Sequence, residues 1–137
     1  ERHPGLVHLV STVSGLLAPA VAASPERWAR LLEASFPPGS VSGAPKSSAL
    51  EVIARLEPVD RGPYCGTVGW VDADSGTAEL AVAIRTFWWD DADGGTLRFG
   101  TGAGITWGSD PEAEWEETEL KASRLVQIAS SGPDWAP

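Results

Sequence analysis

The stretch that decides the fold is Tyr64-Cys-Gly-Thr-Val-Gly-Trp-Val71, followed directly by Asp72-Ala-Asp-Ser-Gly76. The first part is rich in β-branched and aromatic residues and predicts a strand, whereas the second is polar, ends in glycine and predicts a hairpin turn. Residues 77–89 and 96–105 predict two further strands, separated by an acidic turn. Because short loops join the three strands, we expect them to be antiparallel neighbours.

Segments with a helical pattern precede and follow these strands in the sequence. Residues 25–35 and 45–56 have apolar side chains at helical spacing, and both segments end near a proline. A third helix is predicted to begin at Ser109 or Asp110, either of which can cap it, and to continue to about Ser130. With a first strand expected from Leu6 to Val13, the pattern predicts an α+β fold in which helices pack on an antiparallel sheet.

Length and charge exclude several classes of protein. The 137 residues suffice for one domain, and a net charge of −9 argues against binding to nucleic acid or to an anionic membrane. A single cysteine excludes a disulfide framework and fits a reducing compartment, so we expect a cytoplasmic protein. Because the chain begins at Glu1 and contains no methionine, we expect it to be a piece of a longer protein.

The amino-terminal region allows a second interpretation. Residues 6–24 contain no charged side chain, and Ala20-Val-Ala-Ala23 resembles a signal-peptide cleavage site. Serine, threonine, glycine and proline interrupt the apolar run, so a membrane helix is not predicted and a strand is the favoured interpretation.

The third helix carries the most informative side chains. Glu114, Glu117 and Lys121 are three and four residues apart, so they form one row along the helix. Such a row can offer two carboxylates to a hard cation and an ammonium group to an anion. The alternative is a solvated acidic helix with an ordinary pair between Glu117 and Lys121.

Two small-residue segments are candidate binding loops. Phe99-Gly-Thr-Gly-Ala-Gly-Ile105 has glycines whose free amides could bind a carboxylate, or it could be a bulged edge strand. Pro38-Gly-Ser-Val-Ser-Gly-Ala-Pro-Lys46 could bind an anion or a hydroxyl group, or simply start a helix.

Two isolated residues complete the candidates. Arg85 lies between apolar neighbours, where a buried cation needs a partner, although an edge-strand arginine facing water is the alternative. His8 lies in an apolar strand and could instead be a hydrogen-bonded core histidine. We expect the helix row, Arg85 and the glycine-rich segment to face one cavity.

The order of these motifs along the chain is more specific than any one of them. The ordered segments are Val7-His-Leu-Val-Ser11-Thr-Val-Ser-Gly15, Pro38-Gly-Ser-Val-Ser-Gly-Ala-Pro-Lys46, Leu56-Glu-Pro58, Arg61-Gly-Pro-Tyr64-Cys-Gly66, Ile84-Arg-Thr86, Gly102-Ala-Gly-Ile105 and Ser109-Asp-Pro-Glu-Ala-Glu114 with Glu117 and Lys121. This series resembles the carboxy-terminal part of the chorismate-utilising enzymes over essentially the whole chain.

The resemblance implies a Mg²⁺-dependent enzyme that binds chorismate. It implies that Glu117 ligates the metal and that Glu114, a catalytic residue, holds metal-bound water. Further catalytic roles fall on His8, as the active-site histidine, and on Ser40, which would line the substrate.

Five further positions are implied to bind substrate. Arg85, Tyr64 and Gly102 would hold the enolpyruvyl carboxylate, while Lys121 and the amides near Gly104 would lie around the ring carboxylate and the metal.

Within the family, the Tyr64-Cys-Gly66 and Gly102-to-Trp107 motifs are most similar to aminodeoxychorismate synthase component I. This resemblance implies formation of 4-amino-4-deoxychorismate for folate synthesis, with ammonia from a glutamine amidotransferase subunit or domain. Anthranilate synthase component I, for tryptophan synthesis, is the alternative, followed by isochorismate or salicylate synthase. A catalytic lysine and a second metal-binding glutamate of the family lie upstream, so we expect the chain alone to be inactive and to expose apolar edges.

Overall fold

A computed structural model of the chain describes residues 2–3, 6–7 and 9–132. His8, the predicted active-site histidine, lies outside the described residues. The chain divides into two compact units, residues 1–34 and residues 35–137. Except for His8, every candidate site residue belongs to the second unit.

Helices and antiparallel strand pairs occupy separate stretches of the chain, which confirms the α+β class. A short 3-10 helix, Ala92–Gly94, lies between the last two strands. The other elements are β1 (Arg2–His3), β2 (Leu6–Val7), α1 (Pro19–Ala22), α2 (Arg27–Ser35), α3 (Gly39–Ser42), α4 (Lys46–Leu56), β3 (Thr67–Asp72), β4 (Thr77–Val82), β5 (Phe87–Asp90), β6 (Thr96–Phe99) and α5 (Pro111–Ser130).

The described strands form three separate antiparallel pairs, β1–β2, β3–β4 and β5–β6. The β3–β4 pair is the longest and runs in register from Thr67 opposite Val82 to Asp72 opposite Thr77. In β5–β6, the rings of Phe87 and Phe99 lie opposite each other with centroids 4.8 Å apart.

Three strand predictions are corrected by these pairs. The strand expected over residues 77–89 is two strands, because Arg85 has a φ of 51° and turns the chain between them. The strand expected to reach Ile105 ends at Phe99, so the glycine-rich segment is irregular backbone. Of the strand expected over residues 6–13, the described part has Leu6–Val7 in a strand, and residues 9–18 have no regular structure.

The helix predictions are closer to the structure. Of the two capping candidates for α5, Asp110 is the one whose carboxylate accepts a hydrogen bond from the Ala113 amide, at 3.0 Å. Pro111 takes the first helical position, where its missing N–H has no intrahelical partner to lose. In the part of the chain that the structure describes, no helix is long and apolar enough to cross a membrane.

Little of the described chain is buried. Among the described residues, only Cys65, Ala83 and Ser42 are buried. The Cys65 amide donates to the Ala83 carbonyl and the Ala83 amide donates to the Gly66 carbonyl, both at 3.0 Å, so the β3–β4 ladder continues beyond its strand ends. Large apolar side chains are exposed on β3, as the sequence predicts for apolar edges.

Candidate active site

Lys121 connects helix α5 to the glycine-rich segment. Its ammonium nitrogen lies 2.5 Å from Glu117 Oε1 and donates a hydrogen bond to the carbonyl oxygen of Gly102 at 3.2 Å. Thr101 provides a second connection, because its hydroxyl donates to the carbonyl of Thr118 at 3.4 Å. The sequence-predicted row on α5 therefore does meet the glycine-rich segment.

Tyr64 lies against the same glycines. A Cβ atom placed on Gly100 would be 2.4 Å from Tyr64 Cγ, and one placed on Gly102 would be 3.0 Å from the phenol oxygen. Such contacts leave no room for a side chain at Gly100, so the glycine allows the aromatic ring to approach the backbone. Tyr64, Gly102, Lys121 and Glu117 thus form a continuous cluster, which we call the glycine cluster.

Burial raises the pKa of Tyr64 to about 12, and the neighbouring Cys65 contributes in the same direction. The phenol is therefore protonated at neutral pH and can donate a hydrogen bond to an anion. The Tyr64 phenol and the Lys121 ammonium both lie near Gly102, so the glycine cluster has two groups suited to a carboxylate.

Glu114 is held at the start of α5 by the preceding loop. The Ser109 hydroxyl donates to Glu114 Oε1 at 2.5 Å and accepts a hydrogen bond from the Thr106 amide at 2.9 Å. Glu114 also lines an open groove beside the glycine-rich segment, together with Ala103, Ile105, Pro111, Trp115 and Thr118. The hydrogen bond from Ser109, in the loop before α5, therefore orients the Glu114 carboxylate.

Glu114 and Glu117 carry carboxylate oxygens, the kind of ligand that Mg²⁺ prefers. Among the described residues, no three histidine, cysteine, aspartate or glutamate side chains converge on one point. Mg²⁺ commonly takes one or two protein carboxylates and completes its coordination with water and substrate. Glu117 is 50% exposed and lies one helical turn from Glu114, so this pair fits a partial ligand set of that kind.

Three other sequence-predicted residues lie apart from the glycine cluster. Arg85 is exposed, and no hydrogen bond or ion pair joins its guanidinium to the described residues. Ser40 lies in α3 and is exposed, and Gly104 has no atom within 4 Å of a Cβ position. Arg85 lies in an exposed bend with left-handed backbone, and its expected place in one cavity with the α5 row stays a prediction.

Arg61 is the residue that the sequence reasoning missed. Its guanidinium binds the Glu57 carboxylate through two nitrogens, at 2.5 and 2.8 Å, and lies 5.7 Å from the centre of the Tyr64 ring. The hydrogen bond to Arg61 lowers the pKa of Glu57, and the same bond raises the pKa of Arg61. The four-residue spacing of Glu57 and Arg61 was the available signal.

The chain belongs to the chorismate binding enzyme family, whose model matches residues 1–127. Curated relatives include proteins named anthranilate synthase component 1 from Saccharolobus solfataricus, Synechocystis and Streptomyces coelicolor. They are 44%, 46% and 43% identical to the chain over 91%, 93% and 92% of its length, and the match covers 28%, 24% and 23% of theirs. The chain therefore spans about a quarter of the length of these relatives. No solved structure matches the chain significantly.

These names bear on the choice within the family. They match the alternative of the sequence analysis, anthranilate synthase component I, rather than its main prediction, aminodeoxychorismate synthase.

Proposed function

We propose that this chain forms part of the chorismate site of an anthranilate synthase component 1. In this reaction chorismate and ammonia give anthranilate, pyruvate and water. The names of the relatives support the proposal, and the observation that carries it is the contact of Lys121 with both Glu117 and the Gly102 carbonyl. This contact puts a cation, a carboxylate and a glycine backbone within one hydrogen-bonded group.

The charges of the substrate and of the chain determine the role proposed for each carboxylate-binding residue. Chorismate is a dianion and the chain has a net charge of −9, so binding requires local positive charge. Lys121 would attract the ring carboxylate and Tyr64 would donate its phenol proton to a carboxylate oxygen. Arg85 and the amides of Gly102 and Gly104 would complete the carboxylate contacts in the full-length protein.

Two glutamates and two further residues have proposed roles in the chemistry. Glu117 would hold Mg²⁺, with Glu114 fixing a water molecule at the metal, and both side chains fit that purpose as oxygen donors. Mg²⁺, when bound, supplies charge against the carboxylate and polarises the leaving oxygen. Ser40 would line the substrate, and His8 is proposed as the active-site histidine.

Ammonia would come from a glutamine amidotransferase subunit or domain, and a cytoplasmic location remains part of the proposal. The amidotransferase follows from the assignment to anthranilate synthase component 1, and the location follows from the single cysteine.

The product distinguishes the two amine-adding activities. The full-length protein is incubated with chorismate, Mg²⁺ and ammonium ions, and both fluorescence and pyruvate are followed. Fluorescent 2-aminobenzoate with an equal amount of pyruvate is expected. Accumulation of 4-amino-4-deoxychorismate without pyruvate would overturn the proposal in favour of aminodeoxychorismate synthase.

Glu117→Gln tests the role of the α5 row in the same protein. The exchange keeps the shape of the side chain but removes its charge, so kcat/KM for chorismate should fall by about a hundredfold or more. Glu119→Gln, on the other flank of α5, is the matched control and should stay close to wild type. Equal activity in both variants would contradict the role proposed for Glu117.

A further inference from the structure

We propose that Arg61 is a positioning residue, which holds the Tyr64 ring and the loop of residues 38–46 in the geometry that binds substrate. This inference rests on the proposed function, since it gives Tyr64 and Ser40 their substrate contacts. It adds a residue that does not itself touch the substrate.

The guanidinium of Arg61 is fixed in one plane. Nη2 lies 2.5 Å from Glu57 Oε1 and Nε lies 2.8 Å from Glu57 Oε2, so the carboxylate is bound at both oxygens. A two-point contact of this kind defines orientation as well as distance, which a single ion pair does not. Glu57 directly follows α4, so the plane of the guanidinium is tied to the end of that helix.

The remaining contacts of Arg61 reach two predicted binding segments. Nη1 donates to the carbonyl of Val41 at 3.5 Å, and Val41 is the neighbour of Ser40 in α3. On its other side, the guanidinium carbon lies 5.7 Å from the centre of the Tyr64 ring. The side chain is 24% exposed, so these contacts are partly shielded from water.

The backbone supports the same arrangement. The Tyr64 amide donates to the Arg61 carbonyl at 3.1 Å, which closes a tight turn over residues 61–64. The turn brings the Tyr64 ring onto Gly100, where a Cβ atom would lie 2.4 Å from Cγ. The ring is thus confined between the guanidinium of Arg61 and the backbone of the glycine-rich segment.

The charge of Arg61 argues for positioning rather than for anion binding. Two nitrogens of the Arg61 guanidinium donate to Glu57 and the third donates to Val41, so each nitrogen already has a partner within the protein. Lys121 is paired with Glu117 as well, but it is the cation that reaches the Gly102 carbonyl of the glycine cluster. Loss of Arg61 would release the Tyr64 ring and the Val41 carbonyl together. Both Tyr64 and Ser40 are proposed to bind substrate, so the expected defect is in substrate affinity.

The experiment compares Arg61→Gln, Arg61→Lys and the control Arg55→Gln in the full-length protein, with disappearance of chorismate as the readout. We expect Arg61→Gln to raise KM about tenfold with a much smaller change in kcat, because hydrogen bonds to charged groups are being removed. Arg61→Lys should recover only part of the loss, since lysine cannot make the two-point contact. Arg55, in the last turn of α4, carries the same charge without these contacts, and its variant should behave as wild type.

A purely structural role would give a different result. It would lower the amount of active enzyme, so kcat per total protein would fall while KM stayed constant, and that outcome overturns the proposal. If Arg61→Gln does not fold, Glu57→Gln gives the same test, because it keeps the arginine and removes its orienting partner.

Coupling to Tyr64 provides the second readout. In a Tyr64→Ala background, Arg61→Gln should raise KM by clearly less than its roughly tenfold effect in the wild-type background, because the part of the effect that passes through the ring is already lost and only the part through Val41 is left. An undiminished effect in that background overturns the proposal. Chorismate disappearance is measured whichever product forms, so a failure of the anthranilate assignment would be recognised separately from a failure of this inference.

Discussion

The β3–β4 hairpin and the glycine cluster are stabilised in opposite ways. The hairpin is regular, with six residue pairs in register from Thr67–Val82 to Asp72–Thr77, yet every residue of β3 is exposed. The glycine cluster includes irregular backbone over residues 100–105, yet side chains from two other segments hold it. Regular hydrogen bonding and a defined binding geometry therefore occur in different parts of the second unit.

The difference shows which substitutions each region can tolerate. The hairpin depends on its backbone pairing, so exposed apolar side chains on β3 can change with little effect on that pairing. The glycine cluster depends on particular side-chain atoms, so even one added methyl group should disturb it. Four substitutions or conditions test this comparison in the full-length protein, from the largest expected effect to the smallest.

Gly69→Ala should break the pairing of the hairpin. Gly69 has a φ of 154°, and a Cβ atom there would lie 2.0 Å from the backbone oxygen of Glu79 on the facing strand. Backbone atoms cannot move aside cheaply, so we expect a loss of about 3 kcal/mol in the free energy of unfolding. Denaturant titration measures it, and the control Gly108→Ala, with nothing within 4 Å of its Cβ, should be neutral.

Gly100→Ala should disturb the glycine cluster. Its Cβ atom would lie 2.4 Å from Tyr64 Cγ and 2.8 Å from Tyr64 Cβ, so the Tyr64 side chain must shift. The overlap is with one side chain and not with a paired backbone, so the stability loss should be smaller, about 1–2 kcal/mol. Chorismate turnover should fall by at least about tenfold, since a small displacement of a positioned group is costly in catalysis. Steady-state kinetics would contradict the comparison if Gly100→Ala and Gly108→Ala were equally active.

Asp110→Ala should fray the start of the helix that carries the α5 row. The carboxylate accepts the Ala113 amide at 3.0 Å, and loss of such a cap costs about 1 kcal/mol. Thermal unfolding followed by circular dichroism should show the decrease. Asp110→Asn retains a capping oxygen and should recover most of it; an equal loss in both variants would mean that charge, not capping, is responsible.

Acid should remove the contribution of the Glu57–Arg61 pair. The hydrogen bond to Arg61 lowers the pKa of Glu57 in the folded protein, so the pair stabilises the fold above the ordinary glutamate pKa of about 4.3. That stability is lost as the pH falls through the lower, folded-state pKa of Glu57. The pair is partly exposed, so we expect less than about 1 kcal/mol.

Denaturant titrations of wild type and Glu57→Gln at several pH values would show this directly. The difference between the two proteins should be largest near neutral pH and should vanish in acid. A difference that grows as the pH falls would contradict the assignment.

The sequence predicted the parts of the site that depend on spacing within one element. Glu114, Glu117 and Lys121 lie along α5 because helical geometry fixes residues three and four apart on one side. The cap at Asp110 and the proline after it were likewise local signals. The contact between Lys121 and Gly102 joins two segments 19 residues apart, and only the motif order suggested it.

The sequence could not predict features set by backbone conformation or by side-chain pairs between segments. Arg85 was placed inside a strand because its neighbours are apolar, but its positive φ, which is uncommon for a residue with a side chain, ends the strand. Glycine occupies every second position from Gly100 to Gly104, and this alternation favoured a strand. The structure has irregular backbone there, with the Tyr64 ring against Gly100 and Gly102. The four-residue spacing indicated the pair of Arg61 with Glu57, but the contact of Arg61 with the Tyr64 ring depends on the turn over residues 61–64 and could not be predicted.

The hydrogen bond from the Ser109 hydroxyl allows the charge and the orientation of Glu114 to be changed separately. The Thr106 amide can only donate a hydrogen bond, so the Ser109 hydroxyl accepts from it and donates its own hydrogen to Glu114 Oε1. A glutamine at position 114 could present its carbonyl oxygen to the same hydroxyl. Glu114→Gln would then remove the negative charge and keep the orientation of the side chain. Ser109→Ala would keep the charge and remove the hydrogen bond that orients it, so the two variants separate the effect of charge from the effect of orientation.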